Sequence, residues 1–155
     1  MDATNDVLVI IGDRLLTCAD VAAIARRGAK VRLSDAARQR LVAARAIVDR
    51  LAAGAEPVYG LNTGLGAGVD TRLTAEQMSA FQRRVLLGRS VAIGPRFATD
   101  QVRAMIAARL AGLAQGASGI SPAFADILVE MLNRGLHPVV PQIASIGESD
   151  LALLA

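Results

Sequence analysis

One residue whose type and position could take part in acid–base chemistry is Tyr59, the one tyrosine of the 155-residue chain. It lies in a glycine-rich segment, residues 54–73, with the sequence GAEPVYGLNTGLGAGVDTRL. A phenol is protonated at neutral pH and becomes a strong base only where its phenolate is stabilised. Backbone N–H groups that approach closely in a glycine-rich loop can donate hydrogen bonds to that oxygen. On the loop alone, two interpretations of Tyr59 stay open: a site residue and an ordinary loop aromatic.

A second group of reactive side chains lies near the end of the sequence, where Glu148, Ser149 and Asp150 are consecutive. Carboxylates beside a hydroxyl can serve as acid, base or nucleophile. Ser149 and Asp150 are equally the residue types that cap the N-terminus of a helix, and the LALLA that follows favours a helix. The residues alone leave both interpretations open.

The chain that must position these residues has mainly helical periodicity. Thr17 predicts the cap of a helix over 18–27 that ends toward Gly28, and Ser34 predicts the cap of a longer helix ending at Gly54. The glycine-rich segment then follows as a loop of about twenty residues, a length typical of functional or disordered loops.

Three more helices are predicted after this loop. Thr74 with Gln77 forms a capping box for a helix that runs to about Gly88. Thr99-Asp100 begins the second, and Ser121-Pro122 begins the third, which Gly135 closes. Each of these two helices carries a predicted apolar stripe: Val102, Met105, Ile106, Leu110 and Leu113 in one, and Phe124, Ile127, Leu128, Met131 and Leu132 in the other.

Extended structure is expected in a few short pieces. Residues 7–16 predict two strands joined by a turn at Gly12-Asp13, because VLVII is β-branched and the dipeptide suits a hairpin. Residues 31–33 predict a brief extended piece. Pro138 and Pro141 exclude a helix where they lie.

The composition is apolar for a single small domain, with 53% hydrophobic residues and a mean hydropathy of +0.41. A domain of this length buries only about two-thirds of the surface of its unfolded chain. The excess predicts a homo-oligomer or a missing C-terminal remainder. No run reaches the roughly 18 apolar residues of a membrane helix, and the start does not fit a secretory signal. Together with the single Cys18, these features predict a cytoplasmic protein with no membrane partner.

The composition and motifs also argue against binding of nucleic acid, metal ions and dinucleotides. The net charge is only +3, and the arginine pairs are dispersed without interleaved aromatics, so we expect no nucleic-acid partner. One His and one Cys exclude the usual zinc arrangements, and we expect no metal. The absence of GxGxxG excludes that dinucleotide fingerprint. The one histidine, His137, precedes Pro138 and is expected to be structural.

Two segments resemble the aromatic amino acid lyase family. The sequence VYGLNTGLG at 58–66 is similar to the family's Tyr-Gly-x-Asn-Thr-Gly-Phe-Gly loop and departs from it only at Leu65. The sequence ASIGESDLALLA at 144–155 resembles the family's Gly-Ser-Val-Gly-Ala-Ser-Gly-Asp-Leu-Ala-Pro-Leu-Ala. The resemblance extends from about Val7 to Ala155 but covers only the N-terminal third or so of a family member.

The resemblance implies a fold and a reaction. The fold would be the mainly α N-terminal domain of the ammonia-lyase fold, with a few short strands, normally followed by a long helical bundle in a homotetramer. The reaction would eliminate ammonia from a small amino acid substrate, or shift its amino group, with Tyr59 as the base. The positions that match the family's substrate-binding loop and selectivity site are Gly60, Asn62, Leu65 and Val91. Val91 stands where histidine-specific members have His, which argues against a polar substrate ring.

In the family the electrophile is methylidene-imidazolone, formed from an internal Ala-Ser-Gly, so no external cofactor is expected. In this chain, Glu148, Ser149 and Asp150 stand at the positions of that catalytic segment. Glu148 replaces the Ala, and the Gly that should follow Ser149 is absent. Asp150 would then supply the amide nitrogen for ring closure. A Cβ-bearing residue reaches the required conformation only with strain, so whether the ring forms from these residues stays open.

The sequence therefore predicts one domain over residues 1–155, the N-terminal part of an amino acid ammonia-lyase or aminomutase, truncated at its C-terminus. By itself such a fragment is expected not to release ammonia. The alternative is a non-catalytic relative that serves as an oligomerising or ligand-binding module.

Overall fold

The computed structural model describes residues 7–89 and 92–144, and within them the chain is mainly α-helical, as the sequence predicted. The described helices are α1 (Cys18–Arg27), α2 (Asp35–Ala53), α3 (Ala75–Arg89), α4 (Thr99–Leu113) and α5 (Pro122–Arg134). The described strands are β1 (Leu8–Ile11), β2 (Lys30–Leu33), β3 (Ile93–Arg96) and β4 (Pro141–Ile143). None of these helices is long and apolar enough to cross a membrane.

The chain divides into two compact units. Among the described residues, the first comprises residues 7–47 and 97–139, and the second comprises residues 48–89, 92–96 and 140–144. The glycine-rich loop and Tyr59 belong to the second unit, whereas His137 belongs to the first.

The first unit begins with a β1–α1–β2 arrangement in which the two strands pair in parallel, with Val9 opposite Val31. The predicted hairpin over residues 7–16 is therefore wrong. Residues 14–16 form no strand, and Leu15 is 80% exposed. Parallel neighbours need a crossover connection, and α1 supplies it. The β-branched strand β1 pairs with β2, which contains the extended piece predicted at residues 31–33. The chain therefore makes no hairpin at Gly12-Asp13.

The predicted helix caps are confirmed. The Oγ1 of Thr17 accepts from the N–H of Asp20 while the Asp20 carboxylate accepts from Thr17, a reciprocal capping box at the start of α1. Thr74 and Gln77 make the equivalent pair of contacts ahead of α3. Gly28 ends α1 with φ +70°, a left-handed conformation that glycine adopts without a Cβ penalty.

Two other helices are capped as predicted, by serine side chains. The Oγ of Ser34 accepts from Ala37 at 3.0 Å, and the Oγ of Ser121 accepts from Phe124 at 3.3 Å. Gly135 closes α5, again as predicted. Such motifs fix the helix ends because they pair backbone groups that the helix itself leaves without partners.

The core of the first unit forms where α4 packs against α1 and α5, and where α5 packs against β2. Its most deeply buried large side chains are Ile11, Ile24, Leu41, Leu110 and Leu113. The predicted α4 stripe is confirmed at four of its positions: Val102, Ile106, Leu110 and Leu113.

The stripe predictions are wrong at several positions, where the side chain does not lie on the buried face. Met105 is exposed, as are Phe124 and Ile127 of α5. The reason is that α4 contacts helices on two sides, which shifts its buried surface to include Ala107 and Arg103. In α5 the small Ala125 lies inside with Leu132, which lets the helix approach its neighbours closely.

The second unit contains the loop, α3 and an antiparallel pair, β3 and β4, with Ile93 opposite Ile143. The register of this pair shifts between Ile93 and Arg96, and the Nε2 of Gln142 donates to the carbonyl of Arg96 at 2.9 Å. The helix predicted to end near Gly88 ends at Arg89.

Candidate active site

The loop over residues 54–73 is an ordered structure held by its own backbone. The N–H of Gly64 donates to the carbonyl of Thr71 at 3.2 Å, and the N–H of Leu73 donates to the carbonyl of Asn62 at 3.0 Å. These two bonds join the middle of the loop to its C-terminal end as a short antiparallel contact, with Thr63 opposite Arg72. A 3-10 turn over Gly66–Gly68 folds the enclosed segment back on itself. The loop therefore presents fixed groups despite its glycine content.

Tyr59 lies on the outside of this loop. Its side chain is 61% exposed, and its hydroxyl oxygen accepts a hydrogen bond from the N–H of Gly66 at 3.1 Å. The contact joins two positions seven residues apart, so the loop must be folded for it to exist. An N–H can only donate, so this partner is compatible with a phenol and with a phenolate alike. The arrangement fits the sequence-based expectation that a backbone N–H of the loop would meet the Tyr59 oxygen.

Asn62 is the buried centre of the loop, with 1% of its surface exposed. Its Oδ1 accepts from the N–H of Val58 at 2.7 Å. Its Nδ2 donates to the carbonyls of Leu51 at 3.2 Å and Glu56 at 3.0 Å. The amide therefore closes the turn that carries Tyr59 and attaches it to the last turn of α2.

Two further polar side chains hold Gly60, the neighbour of Tyr59. The Oγ1 of Thr63, which is buried, accepts from the N–H of Gly60 at 3.3 Å and donates to the carbonyl of Gly64 at 3.0 Å. The Nε2 of Gln82 on α3 donates to the carbonyl of Gly60 at 3.2 Å. Sequence reasoning did not single out Thr63 or Gln82 as functional residues, and only the position of Thr63 inside the glycine-rich motif could have indicated it.

Leu65 lies beside the same glycine. A Cβ placed on Gly60 would come within 2.9 Å of the Cδ2 of Leu65, so this side chain covers the Gly60 Cα. The structure thus brings together Tyr59, Gly60, Asn62 and Leu65, four of the residues predicted for the site, in one loop. Val91, Glu148, Ser149 and Asp150 lie outside the described residues.

The loop is stabilised further by Arg72, whose guanidinium donates to the carbonyls of Gly54 and Ala55. These carbonyls directly follow the C-terminal end of α2, where the helix dipole favours a cation. Nothing in the sequence analysis indicated Arg72, because its acceptors are backbone atoms 17 and 18 positions away in the chain.

His137 has a structural environment in the first unit. Its Nε2 lies 3.1 Å from Nη1 of Arg103, and it must be the acceptor because a guanidinium has no lone pair to offer. Arg103 is 7% exposed and also donates to the carbonyls of Ile24 and Leu132. Burial lowers the pKa of Arg103. Within residues 7–89 and 92–144, no three His, Cys, Asp or Glu residues are grouped as metal ligands.

A groove of about 380 Å³ in the first unit is lined mainly by apolar residues, among them Leu15, Val21 and Ala108. Its charged group, Arg14, is bound by both carboxylate oxygens of Asp20, at 2.6 and 3.0 Å. An ion-paired arginine at the edge of an apolar groove indicates no particular reaction.

Comparison with protein families gives a match to the aromatic amino acid lyase model over residues 16–155. The histidine ammonia-lyase of Streptomyces griseus is 43% identical over 148 residues, which make up 95% of this chain and 29% of that protein.

Solved structures give the same relationship. Ergothionase from Treponema denticola, an ergothioneine-degrading enzyme, matches with a TM-score of 0.85 at 32% identity, over 92% of this chain and 29% of that one. Tyrosine aminomutase from Streptomyces globisporus matches with a TM-score of 0.85 at 30% identity, over 95% of this chain and 28% of that one. The chain thus spans less than a third of the length of each of these proteins.

Proposed function

The chain belongs to the aromatic amino acid lyase family, and from this premise we propose that it contributes the general base of an amino acid ammonia-lyase or aminomutase. The base is Tyr59. It removes a weakly acidic proton from the carbon next to the one that carries the amine. The relatives named above act on different compounds, so the proposal commits to an amino acid or a close derivative as substrate class.

The observation that carries this proposal is the position of the Tyr59 oxygen. Tyr59 is exposed, and the Gly66 N–H holds its hydroxyl oxygen at 3.1 Å. A general base must be fixed in orientation and still be reachable by the proton that it removes. An aromatic residue with only a packing role would bury its ring, and Tyr59 does not.

The remaining loop residues receive distinct roles in the proposal. Gly60 and Leu65 lie next to Tyr59 and form the nearby substrate-facing surface. Asn62 shapes the loop from inside, since its amide is already paired with Val58, Leu51 and Glu56. Val91 is proposed as an apolar contact for the substrate ring.

The amine is a poor leaving group, and family members overcome this with methylidene-imidazolone, which withdraws electrons from the substrate. The residues of this chain do not fit that group well. Glu148 and Asp150 occupy the first and third positions of the expected Ala-Ser-Gly, and a charged side chain at the third position hinders the close backbone approach that ring closure needs. We therefore assign Glu148, Ser149 and Asp150 to the site by resemblance and give them no individual step.

The test combines a covalent and a kinetic measurement on the gene product at its natural length. Ammonia release from a panel of aromatic and imidazole amino acids is expected, and Tyr59→Phe should lower kcat by about 10²- to 10⁴-fold, because it removes the base and keeps the ring. Intact mass then decides on the electrophile: a deficit of two water molecules means that the internal ring has formed. Turnover that persists in Tyr59→Phe would contradict the assignment of the base.

The departures at Glu148 and Asp150 favour a second candidate, a non-catalytic relative that binds a ligand or another copy. It predicts an intact mass without deficit and no ammonia release. In the 155-residue chain, ligand binding would still perturb the fluorescence of Tyr59, because this chain has one tyrosine and no tryptophan.

A further inference from the structure

Arg72 connects the two parts of the loop that meet at the Tyr59 oxygen. The first part, residues 54–60, carries Tyr59 itself, and the second, residues 61–73, carries Gly66, whose N–H meets the hydroxyl. The Arg72 guanidinium donates through Nη1 to the carbonyl of Ala55 and through Nη2 to the carbonyl of Gly54. The end of the second part is thereby fixed to the start of the first.

The backbone of Arg72 adds to this connection. Arg72 lies opposite Thr63 in an antiparallel contact, and its neighbours Thr71 and Leu73 bond to Gly64 and Asn62. The segment from 64 to 71, including Gly66, is therefore closed at its base by the strand-like contact, and the Arg72 guanidinium fixes that contact to the start of the loop, directly after α2. Asn62 joins the loop to the last turn of α2 separately, through the Leu51 carbonyl.

A planar guanidinium suits this task better than an ammonium. It presents two parallel N–H donors to two consecutive carbonyls, whereas a lysine presents a single rotating point charge. The acceptors follow the C-terminus of α2, where carbonyls without helix partners and the helix dipole both favour a cation. The contact is therefore specific in geometry as well as in charge.

We infer that Arg72 is a positioning residue for the site: it keeps the Tyr59 hydroxyl on the Gly66 N–H by fixing the two parts of the loop to each other. The inference rests on the proposed function only for the use made of that hydroxyl. Arg72 itself contacts no reacting atom in this assignment.

The sequence makes Tyr59 a specific spectroscopic probe of how firmly its own side chain is held. The chain has one Tyr and no Trp, so tyrosine fluorescence anisotropy and the near-ultraviolet dichroism of the phenol both report on Tyr59. Far-ultraviolet dichroism reports on the helices separately. The test compares Arg72→Met, Arg72→Lys and the control Arg50→Met in the 155-residue chain. Arg50 has the same charge in the last turn of α2 and, within the described residues, donates no hydrogen bond to the loop.

Arg72→Met is expected to keep the helical far-ultraviolet spectrum while the anisotropy of Tyr59 falls and its near-ultraviolet band is lost. Arg72→Lys should recover part of both signals, and Arg50→Met should match the parent. A loop residue with only a general stabilising role would change the unfolding midpoint without changing the folded-state signal of Tyr59.

Parental Tyr59 signals in folded Arg72→Met would overturn the inference, as would an equal loss in Arg50→Met. Should Arg72→Met fail to fold, Arg72→Lys decides alone, with a lowered anisotropy supporting the inference and a parental value refuting it. None of these readouts depends on turnover. If the gene product proves non-catalytic, the proposed function fails while the result on Arg72 stands.

Discussion

The side chain of Leu65 covers the Cα of Gly60 so closely that a Cβ there would lie 2.9 Å from Leu65 Cδ2, and Gly60 itself has φ +70°. The turn that carries Tyr59 therefore favours glycine at its next position, chiefly because of the left-handed backbone conformation there. Leu65 is also the one position at which residues 59–66 depart from the family's Tyr-Gly-x-Asn-Thr-Gly-Phe-Gly motif, so the covering residue is a leucine where that motif has a phenylalanine.

Gly60→Ala should destabilise the loop by about 1–2 kcal/mol, chiefly because an L-residue pays that much in the left-handed region. The clash itself adds little, because the Leu65 methyl is the far end of a flexible side chain. Urea unfolding followed by Tyr59 fluorescence measures the change. Gly68→Ala is the matched control, since a Cβ there meets nothing within 4 Å and Gly68 has no positive φ. A similar loss in both variants would refute the argument.

Asn62→Ala should lower the free energy of unfolding by about 2 kcal/mol, because it leaves the Val58 N–H and the carbonyls of Leu51 and Glu56 without their side-chain partner. Asn62→Asp should be at least as damaging: the carboxylate keeps an acceptor for Val58 but turns a second oxygen toward two carbonyls. The same urea titration measures both variants. Thr71→Ala, an exposed substitution in the same loop, should stay within about 0.5 kcal/mol of the parent. An Asn62→Ala variant with the same free energy of unfolding as the parent would contradict the role assigned to the amide.

What could be predicted from the sequence is what depends on neighbours in the chain. Thr17 with Asp20 and Thr74 with Gln77 are three residues apart, so side-chain types alone identify these caps. The loop motif around Tyr59 is equally local, and its residues do lie together. The predictions failed where partners are distant, because periodicity carries no information about which element a face will meet.

The β1–β2 pairing shows this failure in the first unit. β1 pairs with β2, which lies more than twenty positions later, beyond α1. The residues close to β1 in the sequence do not indicate which distant strand it will pair with. Arg103 and Arg72 were missed for a related reason. Their acceptors are backbone carbonyls, which every residue has and which no sequence pattern distinguishes.

Arg103→Leu should destabilise the first unit by about 2–4 kcal/mol. It removes the hydrogen bonds of Arg103 to the carbonyls of Ile24 and Leu132 and to Nε2 of His137. The Leu132 carbonyl keeps the Gly135 N–H at 3.4 Å, and the loss of the Arg103 donors from these acceptors costs about this much together. Urea unfolding followed by far-ultraviolet dichroism measures the loss. Arg109→Leu on the same helix is exposed and should change stability by no more than about 0.5 kcal/mol. A near-neutral Arg103→Leu would mean that apolar packing replaces the buried cation at no cost, as happens at some buried ion pairs.

The last prediction concerns the loss of folding stability at acidic pH and the capping contacts at the start of α1. Hydrogen bonds from Arg14, and then from the N–H and Oγ1 of Thr17, hold the pKa of Asp20 well below its usual range. A carboxyl whose pKa is lowered on folding contributes stability that is fully present above its unfolded pKa of about 3.9. That contribution is lost as the pH falls through the folded value, because protonation then breaks the same contacts.

The Tm of the parent should therefore fall as the pH is lowered from about 5 toward 2, and Asp20→Asn should reduce the steepness of that fall, because asparagine has no carboxylate to protonate. At neutral pH the variant should be the less stable of the two, since it loses the ionic contact with Arg14. Asp13→Asn serves as the control, being an exposed carboxylate in the same unit with no hydrogen bond among the described contacts. Scanning calorimetry across this range measures all three proteins. If Asp20→Asn kept the parent's pH dependence, the capping box and its arginine would not be the source of acid sensitivity in this unit.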